Sequence, residues 1–263
     1  MGKIVGAALV SHHPGLMQAD DFRIRMGDGA DSDLIAGYRR LRERIDAVRP
    51  DTFILFDTHW FTTGYHLVDG GAHMHGSYTS DEMPWYLHGQ RYDYCGSPTL
   101  AALIEEVAVE QGVMSKAIHD DALPRHYATI NVVNKLVKDG ERVVLLASGA
   151  LSHKFNEIDW VQKHPRMYHE DNVSRPANVV ADKDAIALLE AGRHDAILEQ
   201  WDAKFRPLPW EGFGGHYLQM IGTLGGAECR SKGTALSDYE NARGTGNVHM
   251  WFDTAPQEQE VTA

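Results

Sequence analysis

The fold of this chain is decided by the apolar stretch IVGAALV at Ile4–Val10, which is followed at once by Ser11-His12-His13-Pro14. The stretch carries no charge and consists of small and branched apolar side chains, as expected of a strand that is covered on both faces. Two later runs, Thr52–Phe56 and Val143–Ala147, share this apolar character. Three buried strands of this kind predict the central sheet of an α/β domain.

The segment between the first two strands has the periodicity of an amphipathic helix. Apolar side chains recur at helical spacing through Asp33–Val48, and Pro50 follows as a stop signal. Strand, helix and strand in this order form the βαβ unit of a parallel or mixed sheet. Similar patterns predict further helices at Thr99–Gln111, Lys183–Ala191, His194–Phe205 and Gly215–Leu224, and a last strand at Val248–Phe252. We therefore expect residues 1–263 to form a single α/β domain with a mixed, largely parallel sheet flanked by helices.

The composition excludes several classes of protein. A net charge of −12 opposes nucleic-acid binding, because that function needs a basic surface to neutralise phosphates. No apolar run reaches the length of about eighteen residues that a membrane helix needs. The first residues lack the small-residue cleavage site of a secretion signal, and the two cysteines, Cys95 and Cys229, lack metal-type spacing. A reducing, cytoplasmic location is therefore expected.

Two histidines stand directly after predicted strands. His12 follows the first strand and His59 follows the second. Ligands of open α/β sheets bind at the carboxyl ends of the strands, so both side chains are expected at the same edge. Two histidines and one carboxylate form the facial ligand set that suits Fe(II) and leaves positions open for substrate and dioxygen. On this pattern alone, a structural role for the two histidines is the commoner outcome.

Several motifs follow one another along the chain. They are SHHPG at 11–15, FDTHW at 56–60, GSYTSDEMP at 76–84, LLASGALSH at 145–153, EGFGGH at 211–216 and GTGNV at 244–248. In this order, and over nearly the whole chain, they resemble the class III extradiol ring-cleavage dioxygenases, the superfamily of the protocatechuate 4,5-dioxygenase β subunit. The resemblance is strongest to the homoprotocatechuate (3,4-dihydroxyphenylacetate) 2,3-dioxygenase branch.

The resemblance implies an iron site with three protein ligands. His12 and His59 match the two histidine ligands, and the third should be a carboxylate shortly before the Gly244 turn. We predict Glu240 for this position. Asp238 is the alternative, because it lies two residues away and would share the same face in a strand.

Further residues match the pocket of this family. His153, after the Leu-Ala-Ser motif, matches an active-site histidine, and an imidazole can act as both acid and base near neutral pH. Either Tyr127 or His126 matches a second pocket residue that hydrogen-bonds the substrate or oxygen. His13 would point away from its neighbour His12 in extended chain, so we expect it either to support the ligands from behind or to be structural.

The reaction implied by the resemblance is Fe(II)-dependent extradiol cleavage of a small aromatic substrate with O₂, without an organic cofactor. A carboxylated catechol such as 3,4-dihydroxyphenylacetate is the predicted substrate, and Arg125 or Arg243 could pair with its carboxylate. An aminophenol or gallate-type ring, a non-catalytic partner subunit and a zinc hydrolase are the alternatives. No His-Glu-x-x-His pattern supports the hydrolase, and the retained histidines argue against an inactive subunit. A homo-oligomer is expected from the family likeness.

One departure from the family pattern concerns the length of the chain before the Val143 strand. Relatives usually carry a further strand and helix after the segment that begins at His126. Here Ile130–Leu136 passes almost at once to Lys138–Arg142, so about thirty residues, one βα unit, are absent near 136–138. Either the sheet is trimmed, which would open one wall of the pocket, or the sequence omits a segment.

Overall fold

The computed structural model of the chain describes residues 3–60, 62, 64–120, 125–136 and 143–254. The strands, in chain order, are β1 (Ile4–Val10), β2 (Thr52–Phe56), β3 (His66–Asp69), β4 (His73–Tyr78), β5 (Gln90–Cys95), β6 (Ser115–Ile118), β7 (Val143–Ser148), β8 (Gly233–Ala235), β9 (Glu240–Ala242), β10 (Thr245–Asn247) and β11 (Met250–Phe252). The α-helices are α1 (Asp20–Met26), α2 (Asp33–Val48), α3 (Pro98–Glu110), α4 (Tyr127–Leu136), α5 (Pro176–Glu190), α6 (His194–Glu199) and α7 (Gly215–Thr223).

The central sheet has the strand order β2-β7-β1-β11-β8. Both β1 and β2 pair with β7 in parallel, whereas β11 runs antiparallel to β1 and to β8. The predicted α/β fold with a mixed sheet flanked by helices is confirmed. The three strands that were predicted first lie side by side in the parallel part of the sheet, as a βαβ connection requires.

Alternate side chains of the central strands face two separate hydrophobic cores. Leu9 and Leu145 pack on the side of α5 and α7, while Val10 and Leu146 pack on the side of α2. All four are fully buried. Burying one such side chain stabilises the fold by about 1.5–3 kcal/mol, so the two cores fix the positions of the strand ends.

Two helix predictions differ from the structure. Helix α5 begins at Pro176 rather than at Lys183, because proline is well suited to the first helical position, where its missing N–H costs nothing. The predicted helix His194–Phe205 is divided, since α6 ends at Glu199 and a π-helical turn follows at Trp201–Phe205. None of the helices in the described part of the chain combines the length and apolar character that a membrane span requires.

The predicted loss of a βα unit falls next to residues 137–142, which lie outside the described residues. Helix α4 ends at Leu136 and β7 begins at Val143, and β7 pairs directly with β2. The intervening sequence is far shorter than the about thirty residues of a strand and helix. Outside the central sheet, β3 pairs in parallel with β6, and β4 forms a hairpin with β5.

The parallel strands deliver three segments to one edge of the sheet. The segments that follow Val10, Phe56 and Ser148 carry His12, His59 and His153. Because these segments all leave the carboxyl ends of neighbouring strands, their side chains meet above the same edge.

Candidate metal centre

His12 is oriented by contacts on both its backbone and its ring. The Asn131 side chain on α4 donates to the His12 carbonyl at 3.0 Å, and His12 Nδ1 lies 2.7 Å from Ser148 Oγ at the end of β7. The side chain is only 3% exposed. Since Ser148 occupies one ring nitrogen, Nε2 is the nitrogen of His12 that remains available for a ligand role.

His59 lies in a turn that is stabilised by Asp57. The His59 amide donates to Asp57 Oδ1 at 2.8 Å, and the Thr129 hydroxyl donates to the other oxygen of the same carboxylate. The His126 ring stacks on the His59 ring with 4.3 Å between centroids. His59 Nε2 thereby comes to 3.0 Å from His12 Nε2.

Glu211 supplies the carboxylate of this group. Its Oε1 lies 3.0 Å from His12 Nε2 and 3.1 Å from His59 Nε2, while its Oε2 accepts a hydrogen bond from the Ala150 amide at 2.7 Å. The backbone after Glu211 takes three left-handed residues, Gly212, Phe213 and Gly214. Glycine adopts this conformation without strain, and the turn carries the chain away from the group.

Two imidazole nitrogens and one carboxylate oxygen therefore form a triangle with sides of 3.0, 3.0 and 3.1 Å. Ligand atoms about 2.1 Å from a common ion and at right angles lie about 3.0 Å apart, whereas tetrahedral angles would separate them by about 3.4 Å. The observed sides match ligand atoms at right angles, as in an octahedral site. His12, His59 and Glu211 form the group that can hold a metal ion in the described residues.

The electrostatics of the triangle also suit a cation. Burial by itself would raise the pKa of Glu211, but the adjacent His12 and His59 more than offset this and hold the pKa well below its usual value. Burial would lower the pKa of His12, and the Glu211 carboxylate more than reverses this. The carboxylate is therefore ionised near neutral pH and stabilises positive charge at the centre.

Glu240, the predicted third ligand, is engaged elsewhere. Its carboxylate accepts hydrogen bonds from the Ser32 hydroxyl at 2.5 Å and the Asp33 amide at 3.0 Å, and it pairs with Arg166 at 2.6 Å. It therefore caps the N-terminus of α2, where a negative charge is stabilising. The alternative, Asp238, is exposed and is likewise absent from the triangle. In the structure the carboxylate that lies beside His12 and His59 is therefore that of Glu211, and Glu240 is not part of this group.

The three predicted pocket residues all lie beside the triangle. His153 Nε2 is 3.7 Å from Glu211 Oε1, and the His153 side chain is 31% exposed. The Tyr127 ring lies 5.0 Å from the His59 ring and contacts the His126 ring at 4.3 Å. The sequence left Tyr127 and His126 as alternatives, and the structure brings both to the site.

Two further histidines make structural contacts near the triangle. His13 Nδ1 accepts a hydrogen bond from the Gly15 amide at 3.1 Å and so caps a short 3-10 turn. His216 is fully buried, with its ring against Gly149, where an added Cβ would lie 2.7 Å from the ring. Burial lowers the pKa of His216 to about 4, so this ring is neutral at physiological pH.

A cavity of about 240 Å³ adjoins the triangle at His59. Its walls combine aromatic rings with charged side chains: His59, Trp60, Tyr78, Ser80, Asp81, Glu82, Arg125 and His126. Burial lowers the pKa of His126 to about 4, with the nearby His59 adding to the effect. The cavity therefore offers flat neutral rings next to the candidate metal ligands.

The two arginines that were predicted to meet a substrate carboxylate differ in their surroundings. Arg125 is buried and pairs with Asp69 at 3.1 Å, so its charge is already balanced. Arg243 lies at the turn between β9 and β10, and its charge lowers the pKa of His13, which burial and His12 also lower. Within the described residues Arg243 forms no salt bridge to a carboxylate, so its charge can act on a bound anion.

Comparisons with known proteins bear on the class of enzyme. Residues 6–129 match the family model described as the catalytic LigB subunit of aromatic ring-opening dioxygenase. Over these residues the chain is similar to the LigB family. The resemblance to class III extradiol dioxygenases that the motifs indicated is confirmed. The matched residues include His12 and His59 and end before His153 and Glu211.

Two further similarities extend beyond the matched domain. The chain is 28% identical over 189 residues to the 3,4-dihydroxyphenylacetate 2,3-dioxygenase of Escherichia coli, covering 59% of this chain and 68% of the relative. Its fold is shared with the crystal structure of an uncharacterized protein from Escherichia coli K12, with a TM-score of 0.59. That similarity covers 94% of this chain and 99% of the other at 16% sequence identity, so it supports the fold alone.

Proposed function

We propose that this chain is a non-heme Fe(II) dioxygenase that opens a catecholic ring by extradiol cleavage. The observation that carries the proposal is the triangle of His12 Nε2, His59 Nε2 and Glu211 Oε1, whose sides fit three facial positions of an octahedral ion. The LigB-family match and the similarity to a ring-cleaving dioxygenase support the same class of reaction.

In this proposal His12, His59 and Glu211 hold the iron on one face. When bound, Fe(II) lowers the pKa of the substrate hydroxyls and activates dioxygen at its open positions. Ser148 fixes the His12 ring, and Ala150 fixes the Glu211 carboxylate. The protein thereby presents the ligands in a geometry that is set before the substrate arrives, which converts an encounter into an intramolecular step.

His153 is the proposed acid and base. Burial lowers its pKa, although the Glu211 carboxylate opposes this, so the ring is neutral at pH 7 and can accept a phenolic proton. Its Nε2 lies 3.7 Å from Glu211 Oε1. After ring opening the protonated imidazole returns the proton to product oxygen.

His126, Tyr127 and Tyr78 are proposed to hold the substrate ring. Their aromatic rings stand 4.3–6.5 Å from one another, which leaves flat surfaces for packing against a planar substrate. Burial raises the pKa of Tyr127, and the Glu211 charge adds to this effect. The Tyr127 hydroxyl therefore stays protonated and acts as a hydrogen-bond donor.

A carboxylated catechol such as 3,4-dihydroxyphenylacetate is the substrate class that we propose. The support is the activity that the name of the Escherichia coli relative states, together with the charge of Arg243, which acts on His13 next to His12 in the chain. Arg125 is the weaker candidate for the carboxylate, since Asp69 already balances its charge. A cytoplasmic location and a homo-oligomeric state stay predictions from the sequence.

The first test is anaerobic reconstitution with Fe(II), followed by oxygen uptake with a panel of catechols. We expect uptake together with a yellow ring-cleavage product, strongest for catechols that bear a carboxylate. The same chain loaded with Zn²⁺ is the control, because zinc has no redox chemistry and should give no uptake. One tightly bound Fe(II) per chain with no uptake for any catechol or aminophenol would contradict the proposal.

A further inference from the structure

A second buried carboxylate, Asp182 on α5, lies outside the metal centre. It is 1% exposed, and no Lys, Arg or His side chain forms an ion pair with it among the described residues. Burial raises its pKa to about 6, while hydrogen bonds from Ser152 and Tyr239 oppose the shift. A buried carboxylate without a cation is costly for folding, so its presence calls for a specific role.

The carboxylate of Asp182 accepts hydrogen bonds from two residues, Ser152 and Tyr239. The Ser152 amide donates to Oδ1 at 3.0 Å, and the Ser152 hydroxyl donates to Oδ2 at 2.6 Å. The Tyr239 hydroxyl donates to Oδ2 at 2.7 Å. An added Cβ on Gly246 would lie 2.2 Å from the same oxygen, so the backbone of β10 closes the remaining side.

Ser152 is the residue to which this carboxylate is tied twice, and it precedes His153 directly. It is fully buried and forms an antiparallel bridge with Trp210, the residue before Glu211. The His153 amide donates to the Pro209 carbonyl at 2.7 Å. Asp182 therefore lies behind the point where the segment that carries His153 meets the segment that carries Glu211.

The contact between these two segments continues as far as the Glu211 carboxylate. The Glu211 amide donates to the Leu151 carbonyl at 3.2 Å, and the Ala150 amide donates to Glu211 Oε2 at 2.7 Å. A shift of Ser152 would move Ala150 and Leu151 with it, because they are adjacent in one extended turn. The position of Glu211 Oε1 relative to the two histidines thus depends on the anchoring of Ser152.

We propose that Asp182 is a positioning residue of the metal centre, which fixes the turn Ala150–His153 so that Glu211 and His153 face the metal and the substrate. It touches neither metal nor substrate and acts only through Ser152. The inference rests on the proposed function for the catalytic part of its effect, whereas its effect on metal affinity does not require any ring cleavage.

The test compares Asp182→Asn with Asp184→Asn in the full chain. Asparagine keeps the shape but replaces one of the two acceptor oxygens by a donor, so the bonds from Ser152 and Tyr239 cannot all persist. Asp184 lies two residues further along α5, half exposed and paired with Lys204, and serves as the matched control. Co(II) affinity is measured from its visible spectrum, and kcat and KM are measured per bound Fe(II).

For Asp182→Asn we expect Co(II) affinity and kcat to fall by about 10–100-fold, the usual effect of losing an outer hydrogen bond that orients metal ligands. KM for the catechol should stay within about twofold, because the substrate pocket is formed by other residues. Asp184→Asn should match the wild type in every readout. A folded Asp182→Asn variant with the control's Co(II) affinity and kcat would overturn the proposal.

Two further variants keep the test decisive if Asp182→Asn does not fold. Tyr239→Phe and Ser152→Ala each remove one donor and leave the carboxylate in place, and we expect smaller losses of about threefold to tenfold in the same readouts. Wild-type behaviour in both variants would overturn the proposal. If the wild type binds Co(II) but cleaves no ring, the proposed function fails and the Co(II) affinities still decide the role of Asp182. A wild type that binds no Co(II) overturns both.

Discussion

Glu211 and Ala150 are joined by hydrogen bonds in both directions. The Ala150 amide donates to Glu211 Oε2 at 2.7 Å, and the Glu211 amide donates to the Ala150 carbonyl at 3.4 Å. Because Oε2 is occupied in this way, Oε1 is the oxygen that faces His12 and His59. The orientation of the carboxylate is therefore set by the fold.

Glu211→Gln is expected to abolish metal retention, whereas Glu240→Gln should leave it intact. The first change removes the negative charge from the triangle, and we expect Fe(II) affinity to fall by about 100-fold or more, beyond the usual effect of an outer contact. The second removes the negative charge and one of the two acceptor oxygens that cap α2, and it weakens the pair with Arg166. It should lower the free energy of unfolding by about 1–3 kcal/mol. Metal content and thermal unfolding of both variants check this prediction, and equal Fe(II) retention in the two would contradict it.

Ser148→Ala is expected to weaken metal binding without unfolding the protein. The change removes the partner of His12 Nδ1, so the ring loses the contact that fixes its orientation. We expect Fe(II) affinity or turnover to fall by about 10–100-fold. Titration with Co(II) provides the measurement. Affinity and turnover equal to wild type would show that burial alone orients His12.

His153→Phe is expected to separate metal binding from turnover. The ring nitrogen lies 3.7 Å from Glu211 Oε1 but is not part of the triangle, so the variant should retain one Fe(II) per chain. Turnover should fall by about 10²–10⁴-fold, the usual contribution of acid–base catalysis. Single-turnover kinetics with a catechol measure this loss. An unchanged rate would assign His153 to packing only.

Arg243→Gln is expected to change selectivity among catechols. If its guanidinium pairs with the substrate carboxylate, KM for a carboxylated catechol should rise by about 10–100-fold, in keeping with a charged hydrogen bond of about 1.5–3 kcal/mol. KM for unsubstituted catechol should stay the same. Arg243→Lys is the matched control, since it keeps the charge at the same left-handed position and should show a smaller rise. Equal effects on both substrates would remove Arg243 from the recognition site.

His249 is expected to make the protein less stable in acid. It is fully buried, accepts a hydrogen bond from the Ser11 amide and lies 3.1 Å from the Leu34 carbonyl, and burial lowers its pKa to about 3. The unfolded chain takes up a proton at this position below pH about 6.5, whereas the native state does not. The contribution of neutral His249 to the free energy of unfolding is therefore fully present above pH about 6.5, and it is lost as the pH falls towards 3. Near pH 5 the loss is about 2 kcal/mol.

His249→Gln supplies the comparison for this pH dependence. The glutamine side chain has an acceptor oxygen and a donor amide group, like the neutral imidazole, but it does not titrate. Urea unfolding of both proteins at pH 5 and pH 7 measures the difference. The wild type should lose more stability than the variant between these two pH values. Parallel losses would assign the acid sensitivity to other groups.

Much of the fold could be predicted from the sequence because the central strands are covered on both faces. The apolar stretches at Ile4–Val10 and Thr52–Phe56 have the same bounds in the structure, and so does the helix Asp33–Val48. The start of α5 at Pro176 was missed, since the first two turns of that helix carry no clear amphipathic pattern. The division after Glu199 depends on how Trp201 packs, which is a tertiary contact that local periodicity does not contain.

The site could be predicted only where strand ends define it. His12 and His59 follow two parallel strands that lie on either side of β7, so topology alone brings them to one edge. Glu211 comes from an irregular turn, and it lies 199 residues from His12 and 152 residues from His59 along the chain. The signal that could have identified it is the glycine-rich stretch after it, where Gly212, Phe213 and Gly214 take left-handed conformations.

The order of the ligands along the chain has a consequence for how the protein can be divided. The region that matches the LigB family, residues 6–129, contains His12 and His59, while Glu211 and His153 come from the later part of the chain. A polypeptide that ends before β7 would contain His12 and His59 but not Glu211. The remaining polypeptide would contain Glu211 but neither of these histidines. Neither fragment can assemble the centre alone, so co-expressed halves should acquire metal only after they associate, and metal uptake would then report their reassembly.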